Sequence, residues 1–461
     1  MTISCKSYQA LIDFLCNNSI QFTSSVETLK KASNDFGNIE SGCSYITVQP
    51  KNVKDVAQLI KFANKEKLQI TPRGSGGSQS GQSIPKNGIT IDTSRLDSID
   101  ISIGTKEAIC GAGTTWRQIL TFTKMRGMLP CAMPLNLDLT FGGTLSIGGF
   151  GATAHQFSSV VSNISALEAV TGNGDIVTCS PLQNQLVYDG ALANLGRCAV
   201  ITSANVKLRE FKPNTRVYYL IYDDIKIWLE DQKKLAESQV VDYLEGFCSA
   251  SIQGLHKTPN GYRPLKHWLY GLHIGLEFAE QPPTQEILND LNFSQLLHIE
   301  DNQTVDYLAR YDARFHIMHQ TGAWQQPHPW FECILPLDRT SEAIKSILDK
   351  LPSFFGDGHR VFMISSNTEN PRFLMKPSKP ACLFAILPTG IPLSSLKSAL
   401  DAISMLDEIL VSYGGKRYLS GWLSNPSSQF WQSHFSHQYD SWQKTKLMLD
   451  SNNVLCSKLF S

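Results

Sequence analysis

Residues 71–82 read TPRGSGGSQSGQ, a run of glycines interleaved with hydroxyl and amide side chains. The segment before it, NVKDVAQLIKFANKE (52–66), sets Val53, Val56, Leu59, Ile60 and Ala63 at helical spacing behind an Asn52 cap, and Leu68–Ile70 reads as a short strand entering the run. A glycine-rich loop after a strand offers consecutive backbone N–H groups to anionic oxygens. A nucleotide-hydrolysing loop would add a Lys and a Ser or Thr after its glycines, and this one has neither.

A second glycine-rich run, TFGGTLSIGGFGATAHQ, spans 140–156. Its Gly149, Gly151 and Ala154 imitate the dinucleotide fingerprint of a parallel βαβ unit, but turn-forming residues stand where the buried strand should be. Two such loops in one half of a chain can instead bracket a long dinucleotide from both sides.

Around them, GITIDTSRL (88–96) alternates like a strand, and EAICGAGTTWRQILTFTKMRG (107–127) reads as strand, turn and helix. SALEAVTGNGDIVTCS (165–180) reads as a hairpin closed at Gly172-Asn-Gly174, and AVITSANVKLREF (199–211) as a further strand. The expected class is α+β. Past residue 211 come aromatic-rich strands such as RVYYLIYDD, amphipathic helices such as SEAIKSILDKL and Pro-rich turns. Boundaries are expected near 211 and 412: residues 1–210, with a core from about 40; residues 211–411; and a tail 412–461 returning to the first unit.

At 461 residues, with 41 basic and 41 acidic side chains, the chain presents no net charge to nucleic acid or anionic lipid. Gln9 and Asp13 interrupt the first apolar stretch, so no signal peptide is expected, and no run nears the ~18 apolar residues of a membrane span. Eleven cysteines without a C-x-x-C argue against a disulfide framework or a zinc site and for small core residues in a reducing compartment. The expectation is a soluble cytoplasmic protein with a small-molecule substrate and no metal.

RGSGGSQSGQ, LTFGGTLS, SNISALEAVTGNGDIVTCS and LGRCAVIT, in that order, resemble the FAD-binding half of the vanillyl-alcohol oxidase and p-cresol methylhydroxylase superfamily. DYLEGF (242–247), WQQPHPW (324–330), KRYL (416–419) and W-x-x-HF (431–435) are similar to cytokinin dehydrogenase, a flavoenzyme that oxidatively removes the side chain of N6-alkenyl adenines. The resemblance implies a PCMH-type FAD-binding domain completed by the tail, and an antiparallel-sheet cap over the substrate. It implies FAD contacts at Pro72, Gly74, Ser75, Gly76, Gly77, Ser78, Gln82, Leu135, Thr140, Gly142, Gly143, Thr144, Ser146, Phe150, Ile201 and Tyr418.

Two departures bear on chemistry. The family loop R-G-H-G-H-S carries a histidine joined covalently to the flavin, and Gly77 stands at its place, which implies non-covalent FAD. Asn136 stands where related oxidases place a linking cysteine, with Cys131 as a nearby surrogate. The family's proton-accepting Asp is replaced by Leu135, which cannot take a proton. The base is then expected at Glu245, if burial raises its pKa, or in second place at Asp138. His155, His328 and the tail tryptophans read as packing residues, and the family's final S-P-G-Q degrades to Cys456-Ser457-Lys458.

The implied activity is hydride removal from a C–N or C–O carbon of a small organic substrate, with oxygen or another electron acceptor. A cytokinin dehydrogenase with a relocated base, and a flavin-fold binding protein without catalysis, remain the alternatives. Oligomeric state is not legible.

Overall fold

The computed structural model describes residues 4–102, 104–259, 261–365 and 380–461. The fold is α+β, built on three sheets. The first has the order Gln21–Thr23, Cys43–Gln49, Asn87–Asp92, Ile70–Arg73, with the last three strands mutually parallel. Helix Val53–Glu66 carries the chain between two of them. Asn52 Oδ1 accepts the Asp55 amide at 2.9 Å, Lys67 closes the helix in the left-handed region at φ 55°, and Val56, Leu59, Ile60 and Ala63 are fully buried.

The strand starts at Ile70, later than the Leu68 expected. Leu68 N–H still bonds back to the Ala63 carbonyl, so the chain becomes extended only where Ile70 pairs with the C-terminal segment. Ile70 N–H donates to Val454 and its carbonyl accepts from Cys456, so a partner hundreds of residues away sets this boundary.

The second sheet runs Ile99–Ser102, Glu107–Gly111, Ala199–Glu210, Ile164–Thr171, Ile176–Cys179, all antiparallel, with Met128–Pro130 on the far end of Ala199–Glu210. The Gly172–Gly174 hairpin forms, with Gly174 at φ 92°. Tail helices Ser428–Phe435 and Tyr439–Leu449 join this core. Phe435 stacks on Trp442 at 4.4 Å and the Arg197 guanidinium lies 3.7 Å over Trp442, so these tryptophans are packing residues.

The third sheet is antiparallel: Gln295–Gln303, Asn214–Tyr222, Gly261–Phe278, Tyr243–Thr258, His359–Ile364, Ala381–Ile386, Phe331–Pro336 and Lys416–Arg417. Side chains alternate across a strand. Phe331, Cys333 and Leu335 accordingly join the core under helices Ile225–Ser238, Thr340–Lys350 and Leu396–Ser412, whereas Ile334, Phe362 and Leu383 meet the core of the second sheet. Strands 331–336, 359–364 and 381–386 are covered on both faces, which is why they read as nearly unbroken apolar runs. Among the described residues no helix is long and apolar enough to cross a membrane, and all eleven cysteines are unpaired.

Candidate active site

A cavity of about 670 Å³ opens where the three sheets meet, a size usual for cofactor and ligand sites. Each FAD-contact position named from the sequence lines it, as do Asn136 and Asp138. Glu245 and Cys131 are not among the residues that line it.

At one end lies the loop 74–82. Arg73 braces it from below, with Nη1 donating to the Asn34 carbonyl at 2.8 Å. Its guanidinium fills the space a Cβ on Gly76 would need, and Gly76 sits at φ 76°, a conformation that suits glycine. Asp35 holds the loop from the other side, its Oδ2 accepting from Ser78 Oγ and the Gly81 amide, each at 3.0 Å. Burial pushes the Asp35 carboxyl up to about 7 against those bonds and Arg73. Gln82 spends its amide on architecture: Oε1 accepts from Ser80 N–H at 2.8 Å and Nε2 donates to the Leu419 carbonyl at 3.0 Å.

The residues fit FAD on three observations. The amides of Ser75, Gly76, Gly77 and Ser78 donate to no protein acceptor among the described residues, leaving a row of donors open to an anionic group. A Cβ on Gly74 would overlap Thr140 Oγ1, so the two glycine-rich loops approach each other only because Gly74 lacks one. Thr140 Oγ1 itself is buried without a partner, whereas the Thr144 hydroxyl serves Trp116 and the Thr140 carbonyl, and Ser146 turns back to the Gly142 carbonyl. Tyr418 fixes the second loop, accepting the Gly149 amide at 2.7 Å.

At the other end the floor is the third sheet. Glu332 pairs with Ala385, and Ala385 with Arg360, so these three side chains share one face and point into the cavity, with Phe362 and Leu383 one row along. The Glu332 carboxylate accepts from the Ser420 hydroxyl, and burial raises it to about 7 despite Ser420, Arg417 and Arg360. Sequence reasoning passed over Glu332 and Arg360. The available signal was a charged residue inside each of two otherwise mostly apolar strands, Glu332 in FECILP and Arg360 in HRVFMI.

Glu245 is corrected in two respects. Its carboxylate is fully buried behind Tyr311 and Arg360, and it accepts from Arg310 Nη2 at 2.7 Å and from the Tyr311 hydroxyl, with Arg360 Nε at 3.7 Å. Burial alone would raise its pKa, but Arg310, Arg360 and Tyr311 outweigh it and hold the carboxylate below its ordinary value. Asp138 sits at the rim, two-thirds exposed and paired with Arg117 at 2.7 Å. Cys131 is buried outside the cavity, its thiol pushed up by burial. His155 bonds the Val241 carbonyl at 2.9 Å and is pushed down to about 4 by burial; His328 stacks 4.1 Å from Phe36 between two carbonyls, also pushed down to about 4.

Comparison with known proteins agrees with this architecture. Residues 45–180 match the model of an FAD-binding domain, and residues 213–364 match the FAD and cytokinin binding region of cytokinin dehydrogenase 1. An uncharacterised oxidoreductase of the fasciation locus of Rhodococcoides fascians is 26% identical over 93% of this chain and 95% of its own length. Cytokinin dehydrogenase 2 of Arabidopsis thaliana is 26% identical over 96% of this chain and 94% of its own, and cytokinin dehydrogenase 9 of Oryza sativa 27% identical over 94% and 88%. With a row of free amides at one end of its cavity and a buried carboxylate at the other, the chain is similar along most of its length to the cytokinin dehydrogenases and is an FAD-dependent oxidoreductase.

Proposed function

We propose that the protein binds FAD without a covalent bond and oxidises a small organic donor at a carbon bearing nitrogen or oxygen, with Glu332 accepting the accompanying proton. In this reading residues 1–210 and the tail from 412 hold the cofactor, and residues 211–411 shape the donor side. Bound FAD supplies N5 as the hydride acceptor, with oxygen or another acceptor regenerating it. Gly77 offers no atom to bond the flavin ring, and the open amides of residues 75–78 suit the cofactor's pyrophosphate. Eleven unpaired cysteines support a reducing, cytoplasmic setting.

The observation that carries the reading is the position and acidity of Glu332. A general base works best with a pKa near the operating pH, and this carboxyl is raised to about 7 inside the cavity. The Ser420 hydroxyl bonds one carboxylate oxygen, which leaves the other for the donor's N–H or O–H. Tyr418 N–H donates to the Glu332 carbonyl at 2.9 Å, so the tail holds the same strand that carries the base.

Denaturing gel filtration of the purified protein should separate all flavin from the chain. Yellow colour eluting with the unfolded polypeptide would sink the non-covalent assignment. A second reading, favoured by the relatives' names, is dehydrogenation of an N6-alkenyl adenine with the base moved to Glu332; turnover of isopentenyladenine with a dye acceptor tests it.

A further inference from the structure

Two guanidinium groups face the donor end of the cavity with unmet bonding capacity. Arg360 is 6% exposed, and its Nε, 3.7 Å from the shared Glu245 carboxylate, has no hydrogen-bond partner. Its guanidinium carbon lies 4.0 Å over the Tyr311 ring. Arg314, on helix Asp312–Gln320, donates from Nη2 to the Leu387 carbonyl; its Nε is buried without a partner, and no carboxylate pairs with it among the described residues.

The charge around this end does not balance. Among the described residues Glu245 is the one carboxylate in contact with Arg310 and Arg360, and it already accepts from the Tyr311 hydroxyl. Burial, with Arg360 beside it, pushes Arg314 down to about 10, which is the mark of a cation lacking its counter-ion. A buried guanidinium without an anion is costly, and two facing one cavity fit a planar carboxylate through paired N–H groups. Leu135, Phe315, Trp330, Leu383 and Leu387 supply apolar walls for the remainder of a ligand.

We propose that Arg314 and Arg360 seat a carboxylate on the donor, so that the substrate class is an organic acid with an apolar body whose oxidisable carbon lies towards Glu332. This deepens the reading of an FAD oxidoreductase and rests on it. A neutral donor would leave Arg314 without an anion and the Arg360 Nε without a hydrogen-bond partner.

The test titrates purified holoprotein with benzoate, phenylacetate and 3-phenylpropionate, each against its neutral amide, reading the visible spectrum of bound flavin and thermal stabilisation together. At least one acid should bind ten or more times tighter than its amide. Arg314→Gln should erase that preference while keeping the flavin spectrum and melting temperature, and Arg314→Lys should restore part of it. Amides binding as tightly as all three acids, or Arg314→Gln leaving the preference intact, would overturn the carboxylate seat. Inorganic phosphate binding more tightly than every acid would overturn it too. Protein without flavin refutes the oxidoreductase reading separately, and the thermal measurement still reports whether the acids are preferred.

Discussion

Glu332 and Arg360 lie in one row of the large sheet with only Ala385 between them, so a carboxylate and a guanidinium project from the same face into the cavity. Adjacent strands are about 4.8 Å apart, which sets the two backbones roughly 10 Å apart. That separation leaves room for a donor with its oxidisable carbon near one group and an anionic end near the other.

Replacing the proposed base should be the most informative change. Glu332→Gln should lower the rate of flavin reduction by roughly 10²–10⁴-fold. In the wild type the rate should rise with pH through about 7, because the carboxylate accepts a proton only once it has lost its own; the variant should lose this limb. Stopped-flow reduction from pH 5.5 to 8.5 checks both.

The same group should act oppositely on stability. Its folded pKa is raised, so its favourable contribution is complete below the ordinary carboxyl range and disappears as pH climbs to about 7. Glu332→Gln should therefore be more stable than wild type at pH 8, by up to about 3 kcal/mol, and close to it at pH 4. Urea unfolding at the two pH values reads the difference.

Glu245 should behave as a structural anion. Glu245→Gln strands Arg310 and Arg360 without their carboxylate and should cost about 3–5 kcal/mol. Its folded pKa is lowered, so its stabilisation is present above the ordinary carboxyl range and is lost only as pH falls below it. Urea unfolding of the variant at pH 7, beside a rate profile that keeps its limb near 7, separates this role from that of a base.

The two loop glycines should differ in sensitivity. A Cβ at Gly74 overlaps Thr140 Oγ1 on the opposite loop, whereas one at Gly77 meets a Leu139 methyl at 2.6 Å, which a flexible side chain can relieve. Gly74→Ala should abolish flavin retention and Gly77→Ala only weaken it. The ratio of 450 nm to 280 nm absorbance in purified protein reports the order.

Acid should unfold the protein partly through its buried neutral histidines. His155 is held down to about 4, so the unfolded chain takes up a proton below about pH 6.5 that the folded one refuses, and stability falls between those limits. His155→Gln should flatten the slope of stability against pH by about 1.4 kcal/mol per unit in that window. Guanidinium unfolding from pH 4.5 to 7 measures it.

Much of the frame was legible because it is locally encoded. Asn52 and the apolar spacing after it define a helix, Gly172–Gly174 closes a hairpin, and the glycine loops announce backbone donors whatever surrounds them. The strand entering the first loop was placed two residues early because its true start depends on pairing with Val454 and Cys456, which no local window contains. Glu332 escaped notice because FECILP is covered on both faces, and an unbroken apolar run gives no parity from which to tell where a side chain points.

The residues alone show flavin-type loops, with Gly77 where the resembling family carries its linking histidine and Leu135 where it carries its base; a glycine has no atom to bond a flavin and a leucine none to take a proton. Only the tertiary structure separates the two carboxylates by acidity and by place. Glu245 and Glu332 have the same intrinsic acidity; Arg310 and Arg360 pull the first down, and burial with little compensation lifts the second to about 7. Those surroundings come from strands and helices far apart in sequence, and proton affinity depends on the field and solvent at the site rather than on the residue type.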